Sequence, residues 1–220
     1  MTKIEERICE ITASLPSNVR LLAVSKFHPE SALREAYNAG QRLFGESRVQ
    51  ELTRKHEALP GDIKWHFIGH LQTNKVKYIV PFVDLIHSVD SEKLLDEIDS
   101  QAKRCGRVVR CLLEIHIAKE ETKYGFDFSS AEALLTDEVK SRRGNVSIVG
   151  IMGMSSITDD RDQIRKEFRS LAAFYQKMKA TVAPQFCELS MGMSGDYDIA
   201  VEEGSTLVRL GTTIFGERQY

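Results

Sequence analysis

Leu21-Leu22-Ala23-Val24-Ser25-Lys26 decides how the rest of the chain is read. Four apolar residues in a row describe a strand buried on both faces, as in a parallel sheet, and the run stops abruptly on a lysine. Parallel α/β folds place their binding crevice at the carboxyl ends of the strands, so Lys26 is expected at the mouth of a site. Taken alone, such a lysine is more often an ordinary solvated strand end. The segments on either side have to decide.

Upstream, Ile4, Ile8 and Ile11 stand at helical spacing among charges, giving an amphipathic helix over 3–13 closed by Pro16. Downstream, Pro29 suits the first turn of a helix and Gly40 its end. Further strands are expected at 42–45, 64–69, 85–89, 108–117, 146–152, 186–190 and 207–210, separated by helices at 46–59, 73–79, 90–103, 129–143, 160–180 and near 199–203. Strict alternation of strand and helix demands a parallel sheet. Eight such units in 220 residues fit a closed (β/α)8 TIM barrel better than an open doubly wound sheet. No linker or low-complexity stretch divides residues 1–220, so a single α/β domain is expected.

The composition, 42% hydrophobic and 28% charged, is that of a soluble globular protein. A net charge of -2 gives no electrostatic case for nucleic acid or a membrane surface as a partner. The opening residues are charged where a signal peptide needs an apolar core, and no apolar run approaches the roughly 18 residues of a membrane span. A cytoplasmic location is therefore expected. Cys9, Cys105, Cys111 and Cys187 form no close pair, which indicates neither zinc nor disulfides and leaves buried free thiols as the expectation.

In such barrels the loops after strands seven and eight are the usual phosphate-binding place, and here they read Ser190-Met191-Gly192-Met193-Ser194-Gly195 and Gly211-Thr212-Thr213. Glycines let backbone N–H groups approach an anion, and hydroxyls add donors. A phosphate site opposite a strand-end lysine suggests a phosphorylated carbonyl compound held as a Schiff base. Pyridoxal 5'-phosphate is the natural candidate, and a sugar-phosphate aldolase is the runner-up.

Several stretches carry a family resemblance: Leu22 to Lys26, Phe44-Gly45-Glu46-Ser47-Arg48-Val49-Gln50-Glu51, Trp65 to Lys75, and LSMGMSGDYDIAVEEGSTLVRLGTTIFG over 189–216. Together they resemble the pyridoxal phosphate homeostasis proteins, single-barrel relatives of the alanine racemase N-terminal domain. The resemblance implies that Lys26 forms the Schiff base and that Ser190, Gly211 and Thr212 hold the phosphate. It also implies that Met191 and Ser194 line the same loop and that Arg209 faces the pyridine nitrogen. Ser47 and Arg48 depart from the family, which commonly has asparagine and an aromatic residue there.

The implied role is holding, buffering or delivering the cofactor, with no catalytic residue, PLP-dependent apo-enzymes as conceivable recipients and a monomer as the first expectation. An amino-acid racemase-like enzyme is the alternative. Racemisation needs a second acid/base opposite the lysine, which in alanine racemase is a tyrosine from a second domain of the partner subunit. The tyrosines of this chain fall mostly on expected helices. Tyr124, in the loop after the fifth strand, is the exception.

Arg209 is an improbable core residue unless a ligand or carboxylate faces it. Opposite a pyridine nitrogen its donor-only guanidinium favours the unprotonated ring, a poorer electron sink. His66, His87 and His116 are expected as hydrogen-bonded core or barrel-lining residues rather than catalytic bases. The spacing of His66 and His70 is that of a zinc motif, but on a strand and its loop it makes no metal site. Lys103, Arg104 and Arg107 are expected on a solvated face.

Overall fold

The computed structural model describes residues 1–119, 124–135, 143–182 and 185–217. Its strands are β1 (Arg20–Val24), β2 (Leu43–Glu46), β3 (Lys64–Phe67), β4 (Leu85–Val89), β5 (Val109–Ile115), β6 (Val146–Gly153), β7 (Glu188–Ser190) and β8 (Leu207–Leu210). All pair in parallel, each with its successor, and β1 pairs with β8 to close the barrel. The helices are α1 (Lys3–Ser14), α2 (Glu30–Asn38), α3 (Val49–Ala58), α4 (Val76–Ile79), α5 (Glu92–Arg104), α6 (Phe128–Leu134), α7 (Arg161–Thr181), α8 (Tyr197–Glu202) and α9 (Thr212–Phe215). A 3-10 turn over Thr73–Lys75 leads into α4.

Side chains alternate across each strand, so one set fills the barrel and the other meets the helices. Leu22, Leu85, Leu112, Val149, Met152 and Leu207 form the inner apolar cluster. Leu21, Ala23, Phe44, Trp65, Phe67, Ile86 and Leu189 belong to the much larger outer one, packed under the helices. The opening helix is held by a capping box, in which the Thr2 hydroxyl accepts from Glu5 N and the Glu5 carboxylate accepts from Thr2 N. It stops one residue before Leu15, which is extended as a residue preceding proline must be.

β4 and β8 lie where the sequence places them, while other bounds shift for physical reasons. Lys26 falls just past β1 rather than on it. Glu46, read as the first residue of a helix, ends β2, because its carboxylate is bound from below by Ser25 and Lys55. Of the helix expected over 129–143, the described part is Phe128–Leu134, and 136–142 lie outside the described residues, as do Pro184 and Tyr220. Among the described residues no helix is long and apolar enough to cross a membrane.

Two expectations need correcting. Cys111 alone is buried, whereas Cys9, Cys105 and Cys187 are exposed, on outward faces of α1 and at element ends. Arg107 is not simply solvated: its guanidinium donates to the carbonyls of Val80 and Val83, closing the end of α4 against the start of β4.

Candidate functional site

A cavity of about 290 Å³ opens at the carboxyl end of the barrel. Val24, Ile68, Met152 and Met154 make apolar walls. Lys26 stands on one side, Ser194, Gly211 and Thr212 on another, and Arg209 at the base.

Lys26 is aimed by a braced turn. Phe27 has φ +70, a left-handed conformation that costs a non-glycine residue energy and persists only when its surroundings impose it. Those surroundings are polar and buried. The Lys55 ammonium, on α3, donates to the Ser25 carbonyl, Glu46 Oε1 and Glu51 Oε1, each at 2.8 Å. Ser25 Oγ donates to Glu46 Oε1 at 2.6 Å, and Glu51 Oε1 also accepts from Phe27 N at 2.8 Å. Ser25, Glu46 and Lys55 are wholly inaccessible to solvent. Burial raises the Glu46 carboxyl above its ordinary range, partly countered by the charge and hydrogen bond of Lys55.

Opposite, Gly211 N and Thr213 N converge on Ser194 Oγ, at 3.3 and 3.4 Å. The loop carrying Ser194 is fixed from behind by Asp196, whose carboxylate accepts from Met193 N at 2.6 Å and Ser155 Oγ at 2.7 Å. Gly192, at φ +93, lets this loop turn against α8, since a Cβ there would lie 2.5 Å from that of Ala200. Converging N–H groups with hydroxyls beside them are an anion cradle.

Arg209 donates through Nη1 to Ser190 O at 2.8 Å and Ser190 Oγ at 2.7 Å, and through Nη2 to Gly153 O at 3.0 Å. Its recorded hydrogen-bond acceptors are thus carbonyls and a hydroxyl, where the sequence suggested a ligand or a carboxylate facing it. Burial lowers its pKa to about 10, opposed by Asp196 and Glu114. Glu114, also inside the barrel, is pushed up to about 7 by burial and by Asp90, with Arg209 acting against.

The structure brings Lys26, Ser194, Arg209, Gly211 and Thr212 to one cavity. It does not bring Ser190 or Met191 there: β7 extends through Ser190, which points its hydroxyl into the barrel beneath Arg209, and Met191 packs into the outer core. Ser47 and Arg48 line a neighbouring groove instead, with the Arg48 guanidinium 4.6 Å above the Phe27 ring. Tyr124 stacks on His70, centroids 4.5 Å apart, and His70 in turn contacts Asp90. His66 and His70 diverge, one into the barrel and one to the rim. His116 lies just past β5, half-buried. The Lys55–Glu46–Ser25 brace escaped sequence reasoning, because a lysine four residues after a glutamate on an amphipathic helix reads as a surface pair.

An eight-stranded parallel barrel with a lysine just beyond its first strand, converging backbone N–H groups and hydroxyls after its last two and a buried arginine on the eighth defines a class of (β/α)8 barrel with a single polar-lined site at the carboxyl end of its strands. Within that class the chain belongs to the alanine racemase N-terminal domain family, which matches residues 1–219. A relative from Aquifex aeolicus named pyridoxal phosphate homeostasis protein is 40% identical over 224 residues, covering 100% of this chain and 97% of that one. PipY of Synechococcus elongatus, solved without PLP, is 40% identical with a TM-score of 0.90, over 97% of this chain and 100% of PipY. Its structure with PLP bound gives 39% and 0.86 over the same shares. Alanine racemase from Streptomyces lavendulae shares the fold at 19% identity and a TM-score of 0.78, and this chain covers 56% of its length.

Proposed function

We propose that the protein binds pyridoxal 5'-phosphate in this cavity and serves in holding, buffering or delivering it, rather than in catalysis. The observation that carries the reading is the placement of Lys26 and of Ser194, Gly211 and Thr212 in one cavity with Arg209 at its base. The donor set fits the group: backbone N–H and hydroxyl donors for a phosphate, a lysine for an aldehyde, apolar walls for a ring. Family membership and the PLP-bound relative support it.

When bound, the cofactor supplies an aldehyde that condenses with a primary amine. The chain's own residues do the rest. Lys26 offers the amine from a braced turn, the cradle orients the phosphate, and Arg209 presents only donors toward the ring. Among the described residues, the titratable side chains lining the cavity are Lys26 and Arg209. Racemisation needs an acid/base on each face of the substrate carbon, and a guanidinium does not exchange protons readily, which favours a carrier over a catalyst.

The test is the absorption spectrum of the purified protein with PLP, followed by borohydride reduction and peptide mapping. A near-visible band and a pyridoxyl adduct on Lys26 are expected. No band, or an adduct confined to another lysine, would overturn the binding reading. Sustained α-proton exchange of alanine in deuterium oxide, abolished by Lys26→Ala, would overturn the non-catalytic one.

A further inference from the structure

Beneath Arg209 a line of buried polar groups crosses the barrel interior. Ser190 Oγ lies 3.1 Å from His87 Nδ1, His87 Nε2 lies 2.9 Å from His66 Nδ1, and His66 Nε2 lies 3.5 Å from Asp84 Oδ2. His66, His87 and Ser190 are buried and belong to three different strands.

We propose that His87, acting through Ser190, is a positioning residue for Arg209, and that this chain of groups runs in one direction with both histidines as neutral Nε2–H tautomers. The two ends decide the direction. A guanidinium has only donors, so Ser190 Oγ must accept from Arg209 Nη1. The Ser190 proton then has His87 Nδ1 as its acceptor, which leaves the His87 proton on Nε2. That N–H donates to His66 Nδ1, placing the His66 proton on Nε2, directed at Asp84.

Run the other way, the Ser190 hydroxyl would receive protons from both sides with none of the recorded contacts accepting its own, and a bare His66 nitrogen would face the Asp84 carboxylate. At 3.5 Å the last contact is a dipole meeting a charge rather than a hydrogen bond, in keeping with His66 Nε2 having no hydrogen-bond partner among the described residues. Burial pushes both histidine pKa values down; Asp84 works against the shift at His66, while Arg209, Arg20 and Arg110 add to it at His87. Asp84 is held below its ordinary range by His66, with Arg110 contributing.

The consequence concerns the cavity. With Nη1 bound twice by Ser190 and Nη2 once by Gly153, Arg209 keeps its Nε–H and one Nη2–H for a ligand. The histidine chain sets the Ser190 lone pairs toward the guanidinium and so fixes where those remaining donors point. The role at the ring rests on the reading that the cavity holds pyridoxal phosphate, whereas the tautomers do not.

Two measurements separate these. In the ligand-free, 15N-labelled full chain, two-bond 1H–15N spectra should show His66 and His87 as neutral Nε2–H tautomers, and an Nδ1–H or doubly protonated His87 would overturn the one-way chain. With PLP loaded, His87→Phe should shift the absorption maximum of the bound cofactor and its pH response, Ser190→Ala should shift it likewise, and His87→Asn, which restores an acceptor, should bring it back. A cofactor spectrum unchanged in either folded His87→Phe or Ser190→Ala would overturn the positioning role, and if His87→Phe does not fold an unchanged Ser190→Ala spectrum still overturns it. Spectrum is the readout because a lost phosphate contact would move affinity alone. Should the parent protein show no cofactor band at all, the binding reading and with it the positioning role fail, and the tautomers still decide the chain.

Discussion

Lys55 is the residue whose loss should be felt furthest from its own helix. Its ammonium is wholly buried and meets three acceptors, two of them carboxylates, so Lys55→Met removes a fitted cation and leaves Glu46 without its counter-charge. Breaking a buried pair from one side costs about 3–5 kcal/mol, because the orphaned charge remains in the interior. Glu46 has little else to lean on. Among the described residues its Oε2 has no hydrogen-bond partner, and Oε1 keeps Ser25.

The variant should therefore hold a proton on Glu46 to higher pH than the parent does. The sign follows from that: a carboxyl whose folded pKa is raised binds its proton more tightly when folded, so stability is lost as pH rises through the folded value. Urea unfolding at about pH 5 and about pH 8 should show the Lys55→Met deficit growing with pH, with the m-value unchanged. Adding Glu46→Gln should recover part of the loss by removing the stranded charge. A deficit under about 1 kcal/mol at the higher pH, or no recovery in the double variant, would refute the account of the brace.

Ser194→Ala should cost about 1–3 kcal/mol of affinity for pyridoxal phosphate and leave pyridoxal unaffected, as titration of both ligands would show; an equal loss for both would remove Ser194 from the phosphate site. Gly69→Ala should lower the melting temperature, because its Cβ would sit 2.3 Å from the backbone oxygen of Ser47, which cannot yield without moving the loop after β2; an unchanged melting temperature would show that the loop gives freely. Glu114, raised from 4.5 to about 7 and nearly inaccessible, should make the parent lose on the order of 3 kcal/mol of stability between about pH 5 and pH 8, since its folded form prefers the proton. Glu114→Gln should flatten that slope in urea melts, and a slope that persists would place the titration elsewhere.

The alternation of strand and helix was legible from the first apolar run, and the lysine and the two glycine–hydroxyl loops stood where a parallel barrel puts ligand-binding groups. What could not be read lies across strands. Ser190 looked like a loop donor because Met191 and Gly192 follow it, yet its position on a three-residue strand turns it inward. His66 and His87 were read correctly as buried, but nothing in a 21-residue separation tells that two inward side chains meet tip to tip. Glu46 and Lys55 are of types that face solvent, and Lys55 stands four residues after Glu51, the spacing of a surface pair. Only the packing of α3 against the ends of β1 and β2 makes them interior, and tertiary packing of that kind leaves no periodic trace.

The barrel is not equally sewn all round. β1 and β8 match over four residue pairs, whereas β7 and β8 match at one, Ser190 with Leu207, beside which run backbone bonds from Thr206 N to Leu189 O and from Arg209 N to Gly192 O and bonds from the side chains of Ser205 and Thr206. The groups that would grip a ligand flank this seam and the neighbouring β1–β8 join: Ser194 after β7, Gly211 and Thr212 after β8, and Lys26 after β1. A bound molecule touching all three works as a stitch across the weakest join, and its binding free energy reappears as resistance to local opening there. Hydrogen exchange at β7 and β8 is therefore expected to slow when pyridoxal phosphate is added.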